Sequence, residues 1–372
     1  MSKKKEFLKI MFSGGGTGGS VTPLLAVAKE LRENIKEIDL LFVGTKNGPE
    51  KKLVSTFHLP GTPVRFRIIK AGKWRRYFSW RNFFDIFQII IAFFQSCILL
   101  IKEKPDVVVS AGGFVSVPLA WAAFFQKIPV LVHQQDVRPG LANRLMAKTA
   151  QVISTTFAKS LNDYGSRAQW IGNPAPQKPA DSYIKQVRKQ YELVGEKPLV
   201  IITGGGTGSA VINQLTWEGA ERLSQVAQVF HLTGAGKAPS IARREKLAAL
   251  YDYKWREIIS SEEMLALIAD ANLVVSRCGL ATLTELCVFN KSAILIPMPN
   301  SHQEDNAAVF SKKEAALVLD QEKLDSYKFS ESIINLLNND ARREALSYNI
   351  EKVMKKDARE KMAQLILQLA NK

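Results

Sequence analysis

Cysteine and histidine are scarce in this sequence, and acidic residues are scarce in its first half. The 372 residues hold three cysteines and four histidines. Cys97, Cys278 and Cys287 stand far apart or at spacings unlike those of metal ligands, which argues against a disulfide scaffold or a metal centre. A reduced, cytosolic protein is expected. No secretory leader is expected either, because MSKKKEFLKIMF passes from a basic start straight into a short strand. Low-complexity tracts are missing too. Residues 1–170 carry 25 Lys and Arg against only 11 Asp and Glu, whereas the remainder carries 26 against 24, so the net charge of +16 belongs almost wholly to the first half. Such a field favours a polyanion, either nucleic acid or an anionic membrane surface.

What the chain does have is glycine in two matching places. SGGGTGGSVTP, residues 13–23, follows the apolar run 8–12 and precedes a helical pattern. Gly14, Gly16 and Gly19 satisfy a dinucleotide fingerprint, yet the next strand, 40–43, ends in Gly44-Thr45-Lys46 with no acid for a ribose. Gly14 and Gly19 also fit a P-loop frame, yet Ser20 stands where its lysine belongs. NAD and ATP chemistry both lose ground. LVIITGGGTGSAVINQL, residues 199–215, repeats strand, GGGTG and helix. Two such openings half a chain apart predict two doubly wound α/β domains, and 46% apolar content suffices for two cores.

The alternation predicts strands at 7–12, 39–43, 64–69, 106–110, 129–133, 151–154 and 168–171. A proline-rich linker follows at 172–180, then a charged helix at 182–193. Further strands are expected near 199–203, 227–232, 256–259, 272–276 and 293–297, and one amphipathic helix over roughly 340–370. Between them, 65–81 holds seven basic residues and no acid, interleaved with Trp74, Tyr77, Phe78 and Trp80. This mixture suits a membrane interface or stacking on single-stranded nucleic acid. Residues 83–101 are apolar enough to suggest a membrane span. Asp85, Gln88, Gln95 and Ser96 recur at helical spacing, which predicts a core helix with a polar side toward the surface.

Chemistry is expected in SRCGLATLTEL, 276–286, where Gly279 to Thr282 open a helix whose N–H groups can hold an anion. Glu285, one turn in, suits two ribose hydroxyls or, alternatively, is a capping acid. PMPNSHQEDNA, 297–307, offers His302, Gln303 and Asn306 in a loop, donors and acceptors suited to a sugar. SAGGFVSVP, 110–118, and VLVHQQDVRPGLAN, 130–143, each follow a strand and supply His133 and Asp136.

Taken in order, GGTGGSVTPLLAVAKEL, SAGGFVSVPLAWAA, IPVLVHQQDVRPGLANRL, GNPA, GGGTGSAVINQ, SRCGLATLTEL and HQEDNA resemble the MurG family of glycosyltransferases over nearly the whole chain. The resemblance implies a GT-B fold of two Rossmann-like domains. It implies an acceptor- and membrane-binding domain at 1–172, a linker at 173–197 and a UDP-sugar-binding domain at 198–344, with the helix from about 345 to 372 returning to the first domain. It implies inverting transfer, with no metal and no cofactor, of N-acetylglucosamine from UDP-N-acetylglucosamine to a polyprenyl-diphosphate-linked muramyl peptide. The work would be done by a peripheral enzyme on the cytoplasmic face of the bacterial plasma membrane. No nucleic-acid partner is then expected, since that use would leave the HQEDNA and LTE loops without a purpose.

By position, the resemblance implies that Thr17, Gly18, Gly19 and Ser20 face sugar or diphosphate, with Gly206 in the second glycine loop. Gly279, Leu280, Ala281 and Thr282 flank the nucleotide, Glu285 holds the ribose, Ser261 lies at the uracil, and His302 and Gln303 hold sugar hydroxyls. The chain departs from the family at Ser20, where His is usual. It departs again at His133-Gln134-Gln135-Asp136, which replaces HEQN, at Pro176, where Arg is usual, and at Gly206, where Ser is usual. With Ser20 and Gln134 in place of His and Glu, Asp136 is the expected base and His133 the alternative.

Overall fold

A computed structural model describes residues 7–16, 18–57, 59, 61, 63–70 and 80–371, with the backbone alone for 80–86. Thr17, Trp74, Tyr77 and Phe78 therefore lie outside the described residues. The chain divides into two units, Met1–Pro176 with Lys355–Lys372, and Gln177–Met354.

The first unit contains β1 (Leu8–Ser13), α1 (Thr22–Asn34), β2 (Ile38–Gly44), α2 (Pro49–Thr56), β3 (Arg65–Ile68), α3 (Trp80–Glu103), β4 (Val107–Ser110), α4 (Ser116–Phe125), β5 (Val130–Gln134), α5 (Leu141–Met146), β6 (Val152–Thr155) and β7 (Ala168–Trp170). Every paired strand is parallel, in the order β3-β2-β1-β4-β5-β6-β7. Strands such as VVVS and VLVHQ are buried throughout, because helices cover both faces of a parallel sheet. On one face lie α1 and the chain's last helix, whose Met362, Ile366 and Leu369 join Leu24, Val27 and Leu31. There Arg359 Nε meets Glu30 Oε2 at 2.7 Å. On the other face α3 and α4 pack Leu100, Leu119 and Ala123 against Met11, Val108 and Val132.

The second unit runs α6 (Asp181–Gln190), β8 (Leu199–Thr203), α7 (Ala210–Val226), β9 (Gln228–Leu232), α8 (Ile241–Ala248), β10 (Tyr253–Arg256), α9 (Ser261–Asp270), β11 (Leu273–Ser276), α10 (Leu280–Val288), β12 (Ala293–Leu295), α11 (His302–Lys312), β13 (Leu317–Val318), α12 (Ser326–Leu337) and α13 (Asp340–Ile350), while α14 (Ala358–Ala370) belongs to the first unit. Its parallel sheet has the order β10-β9-β8-β11-β12-β13. Both sheets therefore reverse direction beside their first strand, at β1/β4 and at β8/β11. Loops leaving these strands at their carboxyl ends are where such folds bind ligands.

Four expectations need correction. The strand placed at 256–259 is 253–256, because Tyr253 is the residue that reaches the core while Ile258 is exposed. The single helix at 340–370 is two, separated by a turn that buries Val353 and Met354. Within 173–197, α6 is no free connector: Arg188 pairs with Asp270 at 3.0 Å, and Tyr191 bonds Glu263 at 2.9 Å. The fourth concerns the face of α3. Ser96 is fully buried and donates to Ala92 O, and Gln95 accepts the Lys70 N–H at 2.9 Å. Gln88 is exposed as expected, but Phe87, Ile90, Ile91, Phe94, Ile98 and Ile101 stand exposed too. Only Ser96 is turned wholly inward, and the outer side of the helix carries an apolar stripe. Among the described residues no helix is long and apolar enough to cross a membrane.

Candidate functional site

In the second unit the glycine loop after β8 is built by close backbone approach. Gly208 has φ +69° and lies against Thr233 O and Gly234, whose own φ is +92°. A side chain at either position would force the loops after β8 and β9 apart. Gly206, by contrast, has open space around it. Ser209 caps α7 by accepting the Ile212 N–H. The same hydroxyl accepts from Arg277 Nη2 at 2.8 Å. Arg277 is buried at the end of β11 and also donates to Ile296 O, Pro297 O and Gln321 Oε1. One guanidinium thus ties the ends of three neighbouring strands to the glycine loop. None of these acceptors is a carboxylate.

Gly279 is the N-cap of α10, and the first helical bond there runs from Leu283 N to Gly279 O. The N–H groups of Leu280, Ala281 and Thr282 are consequently left over for a ligand, with the positive end of the helix dipole behind them. Glu285 is the sixth residue of α10 and makes no capping bond, which removes the capping alternative. Its desolvated surroundings push the carboxyl up to about 8. Gln303 Oε1 accepts from Cys278 N at 3.2 Å and Met298 N at 3.1 Å, joining the start of α10 to the segment after β12. His302 and Gln303 open α11 rather than sitting in a loop, with Ser301 as the cap. Asn306 is buried and donates to Cys278 O. Ser261 is the exposed first residue of α9, next to the Ser260/Glu263 capping box.

The first unit builds its glycine loop differently. Gly113, φ +96°, approaches Gly15 so closely that a Cβ there would stand 2.6 Å from Gly15 O. Ser20, closing the short turn Gly18–Ser20, is buried with its hydroxyl on Gly15 O at 3.2 Å. Gln135 Nε2 donates to Gly19 O at 2.7 Å, so the loop after β5 holds the loop after β1. Behind them lies Glu50, fully buried, whose Oε1 accepts from Thr45 N at 2.8 Å and Thr45 Oγ1 at 2.6 Å. A Cβ on Gly15 would stand 3.1 Å from the same oxygen. This loop is backed by an acid.

His133 is fully buried, with Nδ1 2.9 Å from Ser154 Oγ and Nε2 2.9 Å from Asn173 Oδ1. Burial pulls its pKa down to about 4, so the ring is neutral. The amide oxygen of Asn173 accepts, which assigns the proton to Nε2 and the acceptor role to Nδ1. Gln134 is equally committed: its Oε1 accepts from Asn143 and from Tyr164 OH, and its Nε2 donates to Asp136 O at 2.7 Å. Asp136 is half-buried in the loop that follows.

The carboxyl edge of the second sheet thus gathers Gly206, Gly279 to Thr282, Glu285 and Gln303 with His302 beside them, and that of the first gathers Gly18, Gly19, Ser20, His133 and Asp136. Arg277, Gln135, Glu50 and Lys237, which touches the second glycine loop, were not singled out from sequence. Only the Arg preceding Cys278-Gly279 and the Lys ending TGAGK gave any signal, as basic residues just past strand ends.

This is the architecture of a nucleotide-sugar glycosyltransferase. The glycosyltransferase family 28 N-terminal domain matches residues 10–155 and the family 28 C-terminal domain matches 199–365. Among solved structures, the MurG of Acinetobacter baumannii superposes with a TM-score of 0.72 at 23% identity, covering 97% of this chain and 99% of that one. The UDP-GlcNAc 2-epimerase of Neisseria meningitidis, bound to UDP-GlcNAc, gives 0.71 at 14% identity, covering 97% and 99%. The fold is GT-B, and the chain is a glycosyltransferase of family 28.

Its relatives narrow this further. A Clostridium kluyveri protein is 35% identical over 84% of this chain and 87% of its own length, and one from Thermoanaerobacter sp. strain X514 is 31% identical over 96% and 99%. Both are named UDP-N-acetylglucosamine–N-acetylmuramyl-(pentapeptide) pyrophosphoryl-undecaprenol N-acetylglucosamine transferase. The chain belongs to that family.

Proposed function

We propose that this chain transfers N-acetylglucosamine from UDP-N-acetylglucosamine to the muramyl 4-hydroxyl of undecaprenyl-diphosphate-linked muramoyl-pentapeptide, converting lipid I to lipid II. The observation that carries the donor half is the convergence, within one unit, of the free N–H groups of Leu280 to Thr282, the open glycine loop at Gly206 and the carboxyl of Glu285. Backbone dipoles receive the diphosphate, Glu285 receives the ribose hydroxyls, and Gln303 and His302 receive the sugar. Ser261 stands toward the uracil. The acceptor belongs to the first unit, where Gly18, Gly19 and the HQQD loop meet.

In the reaction the acceptor hydroxyl attacks the anomeric carbon from the face opposite UDP. Its proton passes to Asp136, and the C–O bond to the β-phosphate breaks with its electron pair remaining on UDP. His133 serves to hold the loop, since both ring nitrogens are occupied. The enzyme works on the cytoplasmic membrane face, where the exposed stripe of α3, with Phe124 and Phe125 of α4, enters an anionic bilayer surface. Incubating the protein with radiolabelled UDP-N-acetylglucosamine and a lipid I analogue tests this: labelled disaccharide lipid is expected, and its absence under all conditions would refute the transfer.

A second reading, a nucleotide-sugar-binding paralogue without turnover, draws support from one feature. Ser20 and Gln134, which replace the usual His and Glu, are turned into internal hydrogen bonds. UDP binding without transfer would favour it.

A further inference from the structure

The loop after β9, Thr233-Gly-Ala-Gly-Lys237, is fixed against the second glycine loop by the Gly208–Gly234 contact. It is also held by Gly234 N on Glu257 O and by a turn from Lys237 N to Gly234 O. From this anchored turn the Lys237 side chain crosses to the glycine loop, where Nζ donates to Thr207 O at 2.8 Å and Gly208 O at 3.0 Å. An ammonium has three donors, so one remains for a ligand. No carboxylate forms an ion pair with Lys237 among the described residues. Glu257, which follows β10 and lies against this loop, accepts from Gly236 N at 2.6 Å and forms no ion pair with Lys237. At the base of the same glycine loop the buried Arg277 likewise bonds only neutral acceptors. The adjacent Cys278 brings no negative charge, because burial pushes its thiol up to about 12. Two cations therefore flank one glycine loop with no carboxylate ion-paired to either among the described residues, an arrangement that is stable when an anion completes it.

We propose that Lys237 binds the diphosphate of the nucleotide sugar at the second glycine loop and stabilises it as the leaving group. The proposal rests on the donor assignment above and adds to it a charged residue. When the bond between the anomeric carbon and the β-phosphate oxygen breaks, its electron pair goes to that oxygen. The new negative charge then falls beside a cation already held in place, while the acceptor oxygen bonds to carbon and its proton leaves to the base.

The test compares UDP with uridine, which lacks the phosphates. Dissociation constants are measured by calorimetry, or by ligand-observed NMR where binding is weak, for the parent, Lys237→Met and Lys237→Arg. Lys237→Met is expected to weaken UDP binding roughly 10- to 30-fold, the size of a lost charge-assisted contact, with uridine unchanged. Lys237→Arg should keep UDP binding within about threefold, since it restores the charge. Equal weakening of UDP and uridine by Lys237→Met would mean that the lysine only props the loop, and unchanged UDP binding would mean that it does not meet the phosphates. Either result overturns the proposal while leaving the donor assignment standing. A parent that binds neither compound overturns both.

Discussion

The two glycine loops share a sequence, GGGTG, and a place in the topology, yet their surroundings carry opposite charge. The second loop has Arg277 beneath it and Lys237 across it. The first has Glu50 behind Gly15 and no such cation bonded to it among the described residues. A glycine loop at a helix N-terminus is an anion site by default. Burying a carboxylate against it offsets that field before any ligand arrives. On the proposed donor assignment, the same backbone motif serves a diphosphate in the second unit, and the acid behind the first loop makes that loop less suited to one. Motif matching alone cannot separate the two, because the deciding charges come from other strands.

The largest expected effect separates chemistry in the first unit from binding in the second. If Asp136 takes the acceptor proton, Asp136→Asn should lower turnover by roughly 10²–10⁴-fold. UDP affinity should not change. Steady-state transfer assays paired with calorimetry make the comparison. A variant turning over at near-parent rate would remove Asp136 from the mechanism.

Acid should weaken both units through buried histidines. His133 titrates at about 4 and His231 at about 3, both because burial disfavours the imidazolium. His231 is enclosed by Tyr253 OH at 2.7 Å and Asn213 Oδ1 at 3.0 Å. In the unfolded chain both titrate near 6.5. Below that pH the unfolded state binds more protons, so stability is complete above about 6.5 and declines as pH falls toward the folded values. For His133 the full loss is about 3 kcal/mol, reached near pH 4. Urea unfolding at pH 7.5 and 4.5 measures it. His133→Gln should flatten the first unit's acid slope and His231→Gln the second's; parallel slopes in parent and variants would contradict the assignment.

Donor affinity should depend on Glu285 more modestly. Glu285→Ala is expected to weaken UDP binding by about 1–3 kcal/mol through lost charge-assisted hydrogen bonds. In the unliganded protein the carboxyl is largely protonated at neutral pH, because its pKa is raised to about 8. Ribose hydroxyls donate to the ionised form, so binding lowers that pKa and releases a proton. UDP affinity should therefore rise from pH 6 to 8 and then level off. Calorimetry at pH 7 in two buffers of different protonation heat detects the release, and equal heats would remove Glu285 from the ribose.

Much of this fold was legible in the residues. Strands such as 107–110 and 199–203 read as nearly continuous apolar runs because both faces of a parallel sheet are covered. Reading failed where burial was partial. Tyr253-Lys-Trp-Arg has a single fully buried residue, and the two-residue β13 leaves almost no pattern. The candidate site was legible where its residues come from one contiguous stretch, as in Gly279 to Glu285, which one helix start brings together. It was not legible for Arg277 or Gln135, whose bonds reach Ser209 and Gly19, respectively, on other loops. For α3 the polar spacing placed Gln88 outside correctly and Ser96 wrongly, and it missed the exposed apolar stripe, because spacing alone does not say which apolar positions a neighbour covers.

That exposed stripe sharpens the last contrast, the expected membrane affinity of the first unit alone. Arg65 and Arg67, which the sequence counts toward a basic patch, are paired within the protein: Arg65 meets Asp39 at 2.6 Å and Glu103 at 2.8 Å, and Arg67 meets Glu103 at 3.3 Å. Their charge is offset by these acids, and less of it is available to lipid headgroups. The apolar stripe has no such internal use. Phe94 and Ile98, 60% and 68% exposed, stand one turn apart at its centre. Full burial of such side chains contributes about 1.5–3 kcal/mol each, and interfacial insertion is only partial. Phe94→Ser with Ile98→Ser should therefore reduce binding to anionic vesicles by roughly tenfold, with UDP affinity intact. Arg65→Gln should leave vesicle binding nearly unchanged while lowering stability, because it takes from the buried Glu103 its shortest ion pair and leaves Arg67 as the main partner. Vesicle sedimentation at low and high salt reads both. The exposed bases add about 1 kcal/mol each near such a surface, so salt should weaken the parent and the serine variant by the same factor. If Arg65→Gln released the protein and the double serine variant did not, the contact would be electrostatic and the stripe would serve some other purpose.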